Sequence, residues 1–136
     1  MQSGAGAAGG LGFGSMAFLG AETEAGFDLF ARASRLRSQL RWADFVFTAE
    51  GRMDRSTLMG KGVGEIGRAC RRLSVPCVGL SGEASQRKQL ERVFDGISAM
   101  TDITDAESAQ QDAAVWLGRL ARRTALAWSG RDHRAL

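Results

Sequence analysis

Phe45-Val46-Phe47-Thr48-Ala49-Glu50-Gly51-Arg52 passes from an aromatic and β-branched run into a polar one. Its first three residues predict a short buried strand, and the polar run from Thr48 predicts the loop that leaves it. Downstream, Val63, Ile66, Cys70 and Leu73 recur at helical steps, and Val75-Pro76-Cys77-Val78-Gly79-Leu80 then restores a strand-like run that Pro76 opens. Leu90, Val93 and Phe94 predict a third short helix, Gly96 to Met100 a third strand, and Ala113, Trp116, Leu117, Leu120 and Thr124 a closing helix. Strands alternating with helical segments imply an α/β fold, a parallel sheet layered between helices on its faces. In such sheets ligands gather beyond the carboxyl ends of the strands. The loops after Phe47, Leu80 and Met100 are therefore the ones to watch.

Upstream, Gly26 opens an amphipathic helix in which Phe27, Phe30, Ala33, Leu36 and Leu40 share one side and Arg32, Arg35 and Gln39 the other. Before it, residues 4–20 run from glycine and alanine to larger apolar side chains, a glycine-rich loop feeding a helix. No repeat or linker divides the chain, so residues 1–136 are expected to form one α/β unit.

Composition bounds the function. With 44% hydrophobic and 24% charged residues the chain has the make-up of a folded globular domain. Its net charge of +3 and pI near 9.5 come almost wholly from arginine, Lys61 and Lys88 being the only lysines. The excess lies near the C-terminus, at Arg119, Arg122, Arg123, Arg131 and Arg134, and neither a dense patch nor a reading motif points to nucleic acid. Cys70 and Cys77 lie in apolar surroundings and the one histidine is His133, so metal-ligand spacing is absent. The cysteines fit buried, reduced residues of a cytoplasmic protein. The uncharged opening from Met1 to Ala21 holds seven glycines and no basic leader, which argues against a signal peptide or a membrane span.

The densest polar cluster is Glu50, Gly51, Arg52, Asp54, Ser56, Thr57, Gly60, Lys61 and Gly62. Phosphoryl transfer needs cations for phosphate oxygens, a carboxylate for magnesium or for the attacking hydroxyl, and backbone that can come close. Arg52 can grip a carboxylate or phosphate in two-pronged fashion, and Asp54 can take magnesium or orient a hydroxyl. The same residues also fit a solvated Glu50–Arg52 ion pair and an Asp54 or Ser56 helix cap. Gly4, Gly6, Gly9 and Gly10 can expose amides to an anion at a helix N-terminus, or simply let that helix pack closely. Ser81-Gly82 is a weaker version of the same signal.

Taken in order, Gly4-Ala5-Gly6-Ala7-Ala8-Gly9-Gly10-Leu11-Gly12, Phe18-Leu19-Gly20-Ala21-Glu22, Ala43-Asp44, Glu50-Gly51-Arg52-Met53-Asp54 with Thr57-Leu58 and Gly60-Lys61, and Val75-Pro76 leading to Gly79-Leu80-Ser81-Gly82 resemble the successive signatures of bacterial glycerate kinases. The resemblance is to the C-terminal portion of a glycerate 2-kinase type of enzyme and covers residues 4 to about 100. It implies a two-domain α/β kinase that uses ATP and magnesium to phosphorylate D-glycerate in a cleft between domains. It also implies Arg52 and Asp54 as catalytic residues, with Gly4, Gly6, Gly9, Gly10, Glu50, Gly51, Thr57, Lys61, Ser81 and Gly82 around substrate or phosphate. The expected partners are glycerate, ATP, and either a missing N-terminal kinase portion or a second copy of the chain. Ala49, Ser56 and Val63 depart from the glycine, glutamine and proline usual in the family. A non-catalytic anion-binding module or a partner subunit that keeps the fold is the alternative reading.

Overall fold

The structure is a computed structural model and describes residues 4–129. Arg131, His133 and Arg134 lie outside the described residues. The chain divides into two compact units, Met1–Leu36 and Arg37–Leu136.

In the first unit a 3-10 turn, Ala7–Gly10, leads into helix α1, Leu11–Leu19, and then into α2, Gly26–Ala33. Gly9 and Gly10 take left-handed backbone, with φ of 65° and 100°, a conformation that costs glycine nothing. Gly12 serves close approach: a Cβ there would stand 2.2 Å from the Gly4 carbonyl oxygen. Helix α1 is apolar all round and none of its residues is buried, with Leu11, Phe18 and Leu19 exposed to 67%, 84% and 81%. Helices of that composition normally lie inside a protein. The isolated chain is therefore expected to self-associate through α1, and a monodisperse monomer in light scattering over about a hundredfold range of concentration would contradict this.

The single helix expected from Gly26 to Leu40 is two, α2 and α3 (Leu36–Arg41). The Ser34 hydroxyl donates to the Phe30 carbonyl at 2.8 Å, and Arg35 takes a left-handed φ of 53°. Serine bonding back onto the preceding turn competes with helix continuation, and apolar spacing alone does not register it.

The second unit carries the sheet. Strands β1 (Val46–Met53), β2 (Cys77–Ala84) and β3 (Gly96–Ala99) are parallel and ordered β1-β2-β3, as the alternation of elements predicts. β1 and β2 run past their predicted ends, whereas β3 stops at Ala99, one residue short of the expected Met100. Glu50, Gly51 and Arg52 belong to β1 rather than to a loop, because the ladder continues through the pairs Glu50–Ser81, Arg52–Glu83 and Met53–Ala84. Backbone pairing outweighs the polarity of those side chains at an edge strand, where one side faces water. Helix α4 (Gly62–Arg72) crosses from β1 to β2, a short helix α5 (Arg87–Leu90) follows β2, and β3 gives way to a 3-10 turn at Met100–Asp102.

Two faces of the sheet are covered by different helices. On one, Cys77 shares a hydrogen bond with Cys70 of α4, and Gly67 of α4 lies so near Phe94 that a Cβ would stand 2.6 Å from the ring. On the other, Val78 and Leu80 pack with Leu120 of α7 (Ala113–Ser129), and Phe45, Met100, Ile103, Ala121 and Trp128 close around them. Fully burying a side chain such as Leu120 or Phe94 contributes about 1.5–3 kcal/mol, so these faces fix the strand positions. The hydrogen bond to Cys70, with burial, keeps the Cys77 thiol protonated.

A helix that apolar periodicity did not announce, α6 (Ala106–Gln111), precedes α7. Asp105 caps it, accepting from the Ser108 amide at 2.8 Å. Among the described residues no helix is long and apolar enough to cross a membrane.

Candidate functional site

The carboxyl ends of β1 and β2 hold the polar cluster. Glu50 and Ser81 are ladder partners. After Met53 the chain turns through a 3-10 helix, Arg55–Leu58, whose first residues Asp54 caps. The Ser56 amide donates to Asp54 Oδ1 at 2.7 Å, and the Asp54 amide donates to Thr57 Oγ1 at 3.1 Å. Thr57, fully buried, donates a hydrogen bond from its hydroxyl to the Glu50 carboxylate. The other Glu50 oxygen faces Lys61 Nζ at 3.8 Å, and Lys61 is the residue immediately before α4. Glu50, Thr57 and Lys61 thus converge, with Asp54 in the same turn.

The electrostatics follow from these contacts. The Ser56 hydroxyl and then its amide hold the Asp54 carboxyl below the ordinary carboxylate range, against partial burial, with smaller help from Lys61 and Arg52. Asp54 is ionised near neutrality. Its helix-capping role, one of the two readings open in the sequence, is realised in full.

Arg52 goes elsewhere. Its guanidinium meets Glu83 of the neighbouring strand at 2.6 Å, so the Glu50–Arg52 pair is not formed and Glu50 takes Lys61 instead. The reason lies in register, since Arg52 and Glu83 stand directly opposite on adjacent strands. Both side chains are well exposed, at 66% and 39%, and such a pair is worth about 0–1 kcal/mol.

Backbone geometry fixes glycine at several positions around the cluster. A Cβ at Gly82 would stand 2.7 Å from the Gly51 carbonyl oxygen, and one at Gly64 would stand 2.1 Å from that of Thr57. Gly60 needs its left-handed φ of 91°. The Ser81 hydroxyl, in a residue only 2% exposed, finds no partner among the described residues. Gly4, Gly6, Gly9 and Gly10 belong to the first unit and shape the turn before α1.

Beside this cluster lies a cavity of about 370 Å³ that sequence reading missed. Gly51, Gly82, Met100, Ala106, Gln110 and Ala113 are among its lining residues. The signal was present: Ala106, Ala109, Gln110 and Ala113 follow an i, i+3, i+4, i+7 pattern. Small side chains give that pattern little hydrophobic contrast, which is why it escaped notice.

The model of the glycerate kinase family matches residues 1–129 of the sequence. The chain belongs to the glycerate kinase family. It is 37% identical over 128 residues to a glycerate kinase of Halalkalibacterium halodurans, across 90% of this chain and 33% of the relative. It is 36% identical to a glycerate kinase of Bacillus subtilis, across 88% and 32%, and 30% identical to a glycerate 2-kinase of Escherichia coli, across 76% and 29%. A crystal structure assigned to glycerate kinase 2 of Salmonella typhimurium is similar over 71% of this chain and 23% of that one, at 31% identity and a TM-score of 0.53. The chain spans about a third of the length of the curated relatives it matches. In this member of the glycerate kinase family, the cluster and the cavity both lie at the strand ends where open α/β sheets bind ligands.

Proposed function

We propose that this chain supplies one wall of a cytoplasmic glycerate kinase cleft, in which the γ-phosphoryl group of ATP passes to D-glycerate to give phosphoglycerate. The observation that supports the reading is the convergence of Glu50, Thr57 and Lys61, with Asp54 in the same turn, at the carboxyl ends of parallel strands in a glycerate kinase family chain. Phosphoryl transfer asks for positioning and charge neutralisation rather than covalent chemistry from the protein. Lys61, aimed by Glu50 and seated at a helix N-terminus, is suited to phosphate oxygens. Arg52, exchanging Glu83 for substrate, would grip the glycerate carboxylate or a phosphate with two parallel hydrogen bonds. Gly51, Gly82 and the unengaged Ser81 hydroxyl would meet substrate through amides or the hydroxyl, and in the first unit Gly4, Gly6, Gly9 and Gly10 would offer amides to an anion. The buried, reduced thiols of Cys70 and Cys77 suit the cytoplasm.

Magnesium fits the donor set. The ion is usually held by one or two carboxylates plus substrate phosphates, and Asp54 is an ionised hard-oxygen ligand in the cluster. Glu50 is engaged by Thr57 and Lys61 and Asp54 by Ser56, and Asp54, held ionised, is the residue that would hold the ion or orient the attacking hydroxyl. When bound, magnesium would neutralise charge on the phosphate oxygens.

A cleft with one wall neither holds both substrates in line nor excludes water. The chain alone is therefore expected to release no ADP on addition of glycerate and ATP in a coupled assay. Turnover even at about one per second, an ordinary enzyme rate, would overturn the one-wall reading. Joined to the part of the Halalkalibacterium halodurans relative that lies outside the match, the chain should give glycerate-dependent ADP release. A chimera that folds by circular dichroism yet stays inert would count against the kinase assignment.

A further inference from the structure

We infer that the cavity at the ends of β1 and β2 receives an adenine ring, so that the base and the phosphates of the donor occupy separate places around the strand ends. This inference rests on the kinase reading for its choice of ligand. Its physical support is the volume and lining of the cavity. The cavity, about 370 Å³, falls within the range of small-molecule sites, which are mostly apolar with a few polar groups that fix orientation.

The lining is built largely from backbone and small side chains. Gly51 and Gly82 bring bare backbone to one side, and Ala106 and Ala113 bring the smallest side chains of α6 and α7 to the other. Flat ligands fit where side chains are cut back in this way. Met100 supplies a polarisable thioether of the kind that packs well against aromatic rings.

Gln110 provides the polar end. No hydrogen bond engages its side chain among the described residues, whereas its neighbour Gln111 is tied to Glu107 at 3.2 Å. A glutamine amide offers a donor and an acceptor side by side, the pattern that pairs with the N6 and N7 positions of adenine. Guanine presents two acceptors there and suits arginine or lysine instead. Glu83 also lines the cavity while its carboxylate meets Arg52. That ion pair joins the base site to the residue proposed to grip substrate.

Adenosine is the probe, because it carries neither phosphate nor glycerate and tests the base site without requiring turnover. Titrated into the isotope-labelled chain at about 1 mM, a concentration suited to weak ligands, it should shift the NMR signals of Gly82, Thr101 and Gln110. Ala106→Leu, at an exposed position on α6, should fill the cavity and weaken the shifts about tenfold. Gln110→Ala should erase an adenosine-over-guanosine preference of about five- to tenfold. The absence of shifts at those residues, or shifts and preference unchanged in the variants, would overturn the adenine site. Should Ala106→Leu fail to fold, Gln110→Ala at the exposed amide decides alone. Loss of the adenine site leaves the chimera assay untouched, and an inert chimera leaves the adenosine titration standing, so the two failures are distinguishable.

Discussion

Gly64→Ala should lower the melting temperature of the chain by about 8 °C or more, the shift that about 2 kcal/mol produces in a domain of this size. Two effects oppose each other. Alanine is a better helix former than glycine by about 1 kcal/mol, and α4 would benefit. The added methyl, however, would lie 2.1 Å from the Thr57 carbonyl oxygen and 3.1 Å from its carbon. Those atoms are backbone and have no rotamer to escape into. Overpacking of ordinary severity costs about 1–3 kcal/mol and sometimes more, and this contact lies at the severe end. Helix and turn must separate, taking with them the hydrogen bond from Arg68 to the Leu58 carbonyl. Gly62→Ala is the matched control, because a Cβ there meets nothing within 4 Å. It should leave the transition unchanged or raise it. Equal melting of wild type and Gly64→Ala by circular dichroism would show that α4 does not sit on the turn as described.

Arg52→Lys in the chimeric enzyme should reduce kcat/KM about ten- to a hundredfold. The substitution keeps the charge and loses the planar two-pronged geometry, so the loss is that of a charged hydrogen bond, about 1.5–3 kcal/mol, at 1.36 kcal/mol for each factor of ten. The competing role is the surface pair with Glu83. If that pair were the whole function of Arg52, Arg52→Lys and Glu83→Gln would behave alike, each altering efficiency and stability by little. A large loss confined to Arg52→Lys, with both melting temperatures near wild type, assigns the guanidinium to substrate. Unchanged efficiency would return Arg52 to the solvated surface and leave Asp54 and Lys61 as the residues to probe.

The class of the fold was legible because the parallel strands alternate with helices along the chain, and hydrophobic periodicity reports that order directly. Strand ends were less so. Glu50, Gly51 and Arg52 look like loop residues in isolation and become strand only through Ser81, Glu83 and Ala84, more than thirty positions away. The same distance in sequence hid the Arg52–Glu83 pair. Asp54 as a cap was visible, since aspartate before a turn with serine two residues on is a local signal. The Glu50–Thr57–Lys61 contact was visible as composition only, because its geometry depends on how the 3-10 helix folds back. Helix α6 and the cavity beneath it were hidden by the small size of their residues.

Strand β1 occupies one margin of the sheet, with β2 on its inner side. Amides along an edge strand alternate between those that bond to the neighbour and those that point outward. Substitution history should bear the imprint of that alternation. At outward-pointing positions proline removes no ladder bond and is tolerable, whereas from Val78 to Ser81 of β2, paired with β1 on one side and β3 on the other, it breaks a ladder wherever it falls. Genetic drift is thus freer on alternate residues of β1 than on the Val78–Ser81 stretch of β2, and the latitude belongs to the main chain, before any side chain has exerted a claim.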